Sequence, residues 1–222
     1  MDKTEILDKG FEAALGLAAD RPWSSLSLRE IAEAAAVPLT AFQGLADRDR
    51  LALHADAYFD RPMSAETLDS SDPARERLFD VIMLRFEAME PHREGLVSLL
   101  RSIDRSGVLR LQRLKARRQS AEWALISAGL DHGGQVPLPV KALGLAWVLA
   151  RTEEAWRRET DPGYAKTMSA LDKGLRQAER QLDRMGSFGF SKARQSPDRS
   201  PNQSPEAPEP PAPSADETPT PA

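Results

Sequence analysis

The chain has 222 residues, 41% of them hydrophobic, and carries a formal net charge of −4. That apolar share is enough to bury a core, which excludes a chain disordered throughout. The absence of cysteine excludes a disulfide framework, a zinc–thiolate site and a Cys nucleophile.

Helical periodicity runs through nearly the whole chain to about residue 185, with no convincing alternating strand, so an all-α fold is expected. Asp2 and Glu5 make a capping box for a first helix with Ile6, Leu7, Phe11, Ala14, Leu15 and Ala18 on its buried face; Pro22 stops it. Ser27 and Glu30 make a second box, opening SLREIAEAAA, whose Leu28, Ile31, Ala32 and Ala35 turn inward. Val37-Pro38 breaks the chain, and a short helix is expected from there to about Leu45. Gly44 then lies inside that helix, at a cost of about 0.5–1 kcal/mol relative to Ala. Asp47 caps a fourth helix carrying Leu51, Ala55, Tyr58 and Phe59, which ends at Asp60-Arg61-Pro62.

Longer helices follow. PARERLFDVIMLRFEAM opens with a Pro, ends at Pro91 and repeats Leu78, Ile82, Phe86 and Met89 along one face. The stretch from Gly95 to Leu130 predicts one or two helices broken near Gly107. Within it, Arg110, Arg113 and Arg117 form a basic face opposite Val108, Leu111 and Leu114. That face is read as solvated, with ion pairs to Glu-rich neighbours; contact with anionic lipid or nucleic acid is the alternative. HGGQ (His132 to Gln135) is read as a flexible connection, since no nucleophile elbow accompanies it.

VKALGLAWVLARTEEAWRRE predicts a strongly apolar helix and Asp161-Pro162-Gly163 a turn. The last helix has Met168, Leu171, Leu175, Ala178, Leu182 and Met185 as its buried stripe. Lys173, Arg176, Arg180 and Arg184 lie off that stripe and, with Phe188, Phe190, Lys192 and Arg194, resemble an interfacial membrane segment. From about Gly186 the composition changes, and 9 of the 17 prolines fall between Pro197 and Pro221. A disordered, solvated tail is expected there, with docking to a Pro-recognising module as the alternative.

Charge and side-chain chemistry narrow the function. Residues 1–60 hold six basic against eleven acidic residues, whereas residues 101–118 hold seven basic and one acidic. An acidic N-terminal region opposes strong phosphate-driven DNA affinity, although a few placed arginines and helix N-termini can act locally. Met83, Phe86, Trp123 and Trp147 are taken as the lining of a pocket for a small apolar ligand, on helices where most such residues are core. His54, His92 and His132 share no ligand spacing, so no metal is expected, and no cofactor. No placed Ser/His/Asp set or Gly-rich phosphate loop appears, so the chain is not read as an enzyme. It has no basic-then-apolar leader and no run of 18 uncharged apolar residues, which predicts a soluble cytoplasmic protein.

Three short helices, a linking fourth and a larger helical body resemble the TetR family of bacterial regulators. The resemblance covers roughly residues 3–60 and rests on ILDKGFEAALGLAAD, SLSLREIAEAAAVP and DRDRLALHADAYF. It implies a DNA-binding head (1–60) and a ligand-binding and dimerisation body (61–185) ahead of the Pro-rich tail (186–222), and a homodimer through the last two long helices, whose interface would account for the stripe of the last helix without any membrane. It also implies that Leu39, Thr40 and Gln43 face the major groove, Gln43 pairing with an adenine. Ser27, Arg29 and Arg48 would then hold phosphates. The chain departs from the family pattern at Ala36, Pro38 and Gln43, where Gly, Ser and Tyr usually stand. A reading helix so short and so poor in donors makes few base contacts.

The regulator reading comes first: a dimer on operator DNA that responds to a small apolar ligand. The same fold also occurs in a lipid-binding accessory family of ubiquinone biosynthesis that has lost DNA reading and contacts membranes. The apolar Trp-bearing helix LGLAWVLARTEEAW, the Asp-Pro-Gly turn and the closing TMSALDKGLRQAE resemble it loosely, which makes that family the alternative.

Overall fold

A computed structural model describes residues 1–65, 71–132 and 136–184, with side chains to residue 182. Among these residues the secondary structure is helical only: eight α-helices and four single 3-10 turns. The Pro-rich tail, Met185, and the basic and aromatic residues of the proposed membrane segment from Phe188 onward lie outside the described residues, as do Gly133 to Gln135 of the HGGQ stretch.

The caps act where their chemistry requires. In α1 (Lys3–Asp20) the Asp2 side chain accepts from the Glu5 N–H at 2.7 Å. In α2 (Leu28–Ala34) both halves of the Ser27/Glu30 box are made. In α3 (Arg48–Asp60) Asp47 accepts from the Arg50 N–H at 2.8 Å. Each bond satisfies an N–H that the first helical turn leaves without a partner.

The body consists of α4 (Ala74–Met89), α5 (Arg93–Arg105), α6 (Gly107–Ser127), α7 (Leu138–Arg157) and α8 (Ala165–Arg184). The break near Gly107 is a new start: Ser106 caps α6 by accepting from the Leu109 N–H at 3.3 Å. One apolar core runs unbroken from Phe11 through Phe59, Phe86 and Leu125 to Leu175, so the first three helices share it with the body.

The turn into α8 is built on Glu159. Its carboxylate accepts from the backbone N–H groups of Thr160, Asp161, Lys166 and Thr167 at 2.8–3.0 Å. Burial opposes its charge, but those four donors hold its pKa down to about 2. Glu159 also takes the Thr167 hydroxyl, which draws Thr167 into the core. That corrects the expected stripe of the last helix: Met168, one residue further round, is 41% exposed, while Leu171 and Leu175 are buried as expected.

Reading edge, buried ion lattice and apolar groove

The segment expected to read DNA is not an α-helix. It is a single 3-10 turn, Leu39–Phe42, opened by Pro38. Gln43 already has extended backbone, and Gly44 lies at φ +70°. Gly44 therefore terminates the turn rather than weakening a helix, and its lack of a Cβ suits it to that position. Pro38 and the capped start of α3 at Asp47 leave too few residues between them for an α-helix with this terminator inside. Ala36, at the end of α2, is also left-handed at φ +52°, where a Cβ is unfavourable. Ala36→Gly is expected to stabilise the protein by about 1 kcal/mol in chemical denaturation, the saving in left-handed strain exceeding the added chain entropy.

The turn is anchored by Val37 and Phe42, both buried, with Leu45 partly buried beside them. Leu39, Thr40 and Gln43 are exposed, as is Arg29 on α2. The other two residues expected to touch DNA are occupied inside the protein. Ser27 Oγ donates to Glu30 at 2.6 Å and accepts from the Glu30 N–H at 3.3 Å. The Ser27 hydroxyl and, at 2.8 Å, its backbone N–H donate to the Glu30 carboxylate and, followed by Arg21, hold its pKa down to about 2. The Arg48 guanidinium donates to the carbonyls of Ser24 and Leu26 at 2.7 and 3.2 Å, so it ties α3 to the chain entering α2.

The centre of the body contains charge. Asp56 of α3, Arg85 of α4, Arg113 of α6 and Glu153 of α7 are each 2–6% exposed. Arg85 grips Asp56 at 2.6 Å and also pairs with Asp60. Arg113 forks onto Glu153 at 2.5 and 3.1 Å and reaches Asp56 at 3.3 Å. Arg117 and Arg157 each add a bond to Glu153 at 2.9 Å, and Arg157 continues to Asp104 at 2.6 Å.

Burial opposes ionisation of both acids, yet Arg113 with Arg85 holds Asp56 low, and Arg113 with Arg117 holds Glu153 far below its ordinary value. Five helices, α3 to α7, are thus joined by one hydrogen-bonded ionic lattice. In it every member's charge is paired with another's.

The lattice reverses the expected polarity of α6. Arg113 and Arg117 do pair with an acidic neighbour, but Arg113 points into the core. Val108, Leu111 and Leu114, on the opposite face, are 61–70% exposed. The sequence held a signal for this. Ala52, Ala55, Asp56 and Phe59 run at i, i+3, i+4, i+7, and so do Leu149, Thr152, Glu153 and Trp156. A charge on an apolar stripe marks a buried pair.

The four residues taken as a pocket lining are placed in two different environments. Met83 and Phe86 are in the core, whereas Trp123 and Trp147 are 40% and 53% exposed. Trp156 is fully buried; its indole N–H donates to Glu90 at 3.0 Å and Arg93 stacks 4.3 Å over its ring. An apolar groove of about 280 Å³ lies elsewhere, walled by Leu78, Leu125, Leu145, Leu175 and Leu182, with Lys141 donating to the Leu130 carbonyl. Beside it, Val140, Leu143 and Trp147 form an exposed ridge along α7. Lys173, Arg176 and Arg180 of α8 are exposed. No helix among the described residues is long and apolar enough to cross a membrane.

No protein-family model matches the chain, and no curated protein matches it. Solved structures do. A TetR transcriptional regulator from Nitrosomonas europaea ATCC 19718 superimposes with a TM-score of 0.63 at 21% identity, over 79% of this chain and 98% of that one. A TetR transcriptional regulator from Rhodococcus sp. RHA1 gives 0.57 at 16%, over 78% and 94%.

Proposed function

From the premise that this chain has the TetR-like fold, we propose that it is a dimeric, cytoplasmic DNA-binding regulator that responds to a small apolar ligand. The observation that carries this reading is the capped head with Arg29, Leu39, Thr40 and Gln43 exposed on it. In this reading Gln43 pairs with a base and Arg29 holds a phosphate. Ser27 and Arg48 shape the head and do not contact DNA. The exposed α7 ridge of Val140, Leu143 and Trp147 supports a two-fold contact through α7 and α8. The adjoining 280 Å³ groove has the apolar lining a small ligand needs, and it replaces the pocket assigned from sequence. Movement of α7 would reach the head through Glu153, Arg113 and Asp56.

One observation favours the second reading, a lipid-binding accessory protein of ubiquinone biosynthesis that no longer reads DNA. The reading element is only one 3-10 turn, with no basic side chain on it. Selection from a fragmented genomic library separates the two. A regulator enriches a defined sequence, with affinity falling steeply as salt rises. Gln43→Ala should then weaken binding about tenfold, as the loss of one base contact worth roughly 1–3 kcal/mol. Arg29→Ala should weaken all sequences alike and lower the salt slope by about one. No enrichment, with an apolar lipid in the organic extract of the purified protein, would replace the first reading by the second.

A further inference from the structure

A second groove lies where the head meets the body. The chain leaves α1 at Asp20 and passes through Arg21-Pro22 into the 3-10 turn Trp23–Ser25, which lies against α5. The Trp23 backbone N–H donates to Ser98 Oγ at 2.9 Å, and the Ser98 hydroxyl reaches the Arg21 carbonyl at 3.4 Å. Between this turn and α5 is an open groove of about 600 Å³.

Its accessible apolar lining includes Ala19, Pro22 and Val97, with the buried Ala18 and Trp23 as its floor, and its polar lining includes Ser102, Arg101 and Arg105. Two other arginines of the lining are already paired, Arg21 with Glu30 at 2.8 Å and Arg93 with Glu90 at 2.7 Å. Arg101 and Arg105 are exposed, and among the described residues no carboxylate comes within ion-pair distance of either. They stand one helical turn apart on the same face, where like charges repel and a shared anion relieves the repulsion. Asp20 and Glu94 also line the groove. They oppose polyanions such as a nucleic-acid backbone and so select a single anionic head.

We propose that this groove is a binding site for an amphipathic monoanion, an organic carboxylate or sulfonate with a compact apolar or aromatic body. Arg101 and Arg105 take the head group, while the accessible Val97, Ala19 and Pro22 hold the body. The site is formed jointly by the turn entering α2 and by α5. Ser24, which also lines it, gives its carbonyl to Arg48 at the start of α3. An occupant therefore fixes the reading edge relative to the body; this regulatory consequence, unlike the binding itself, rests on the regulator reading.

The test titrates the full chain with naphthalene-2-sulfonate and maps hydrogen exchange. Protection is expected in residues 18–24 and 97–105, with affinity falling as salt rises. Arg101→Ala/Arg105→Ala should weaken binding at least tenfold while leaving the melting temperature unchanged, and Val97→Trp should block the groove sterically. Equal binding by both variants, protection on the α7 ridge instead, or no binding at all would overturn the site. Seam binding without DNA enrichment would keep the site and remove the regulator reading. DNA enrichment without seam binding would do the reverse.

Discussion

Glu153→Ala should destabilise the protein by about 3–5 kcal/mol, the range found when one partner of a buried ion pair is removed. For a chain of this size that corresponds to a fall of roughly 10 °C in melting temperature, measurable by calorimetry or circular dichroism. The cause is what remains. Arg113 is 6% exposed and keeps only the 3.3 Å contact to Asp56, while Arg117 loses its buried partner. Asp104→Ala, at the exposed end of the same lattice, should cost less than about 1 kcal/mol, because solvent already screens that pair with Arg157.

The lattice also sets the acid limit. Asp56 and Glu153 have folded pKa values below their ordinary 3.8 and 4.5. For depressed carboxylates the native state binds fewer protons than the unfolded chain. Their stabilisation is thus complete above about pH 4.5 and is lost as pH falls through the folded values. Denaturation midpoints taken from pH 6 to pH 3 should fall steeply below 4.5. Glu153→Gln should start lower and fall less over the same interval. A variant parallel to the parent would mean Glu153 contributes nothing to the acid limit.

The second large effect is at Gly95. A Cβ there would lie 2.1 Å from the Leu15 carbonyl oxygen, so α5 crosses α1 with backbone against backbone. Gly95→Ala gives the helix a better-forming residue, which alone would favour it. The clash is with main chain, however, and cannot be relieved by a rotamer, so the helices must separate. A loss of about 3 kcal/mol is expected, at the upper end of overpacking costs, and urea denaturation would measure it. Because α1 belongs to the head and α5 to the body, hydrogen exchange should accelerate at residues 10–20 and 93–103 before global unfolding. Unchanged stability would mean that the two helices are not packed this closely.

Features decided by one residue's own chemistry are legible in the sequence. Ser27, Asp2 and Asp47 cap helices because each offers an acceptor to an N–H with no helical partner, whatever surrounds it. Leu78, Ile82 and Phe86 are buried because a repeat near 3.6 leaves one apolar face. Features that require two segments to be placed against each other are not legible there. Arg113 looked like part of a solvated face until Asp56 and Glu153, 57 and 40 residues away, came within reach. Trp123 and Trp147 have apolar bodies, but no neighbouring helix covers them.

By itself, then, the sequence determined an all-α chain, its helix starts and most of its buried stripes, since propensity, capping and periodicity are local properties. It also carried the resemblance of residues 3–60. Only the tertiary structure decided that the segment Leu39–Phe42 is a four-residue turn, that Arg48 and Ser27 are bonded within the first helices, and that the centre between α3 and α7 is ionic. The physical reason is the same in each case. Which polar group finds a partner, and which apolar face is left without one, depends on distances between segments remote in the chain. No spacing along the sequence contains those distances.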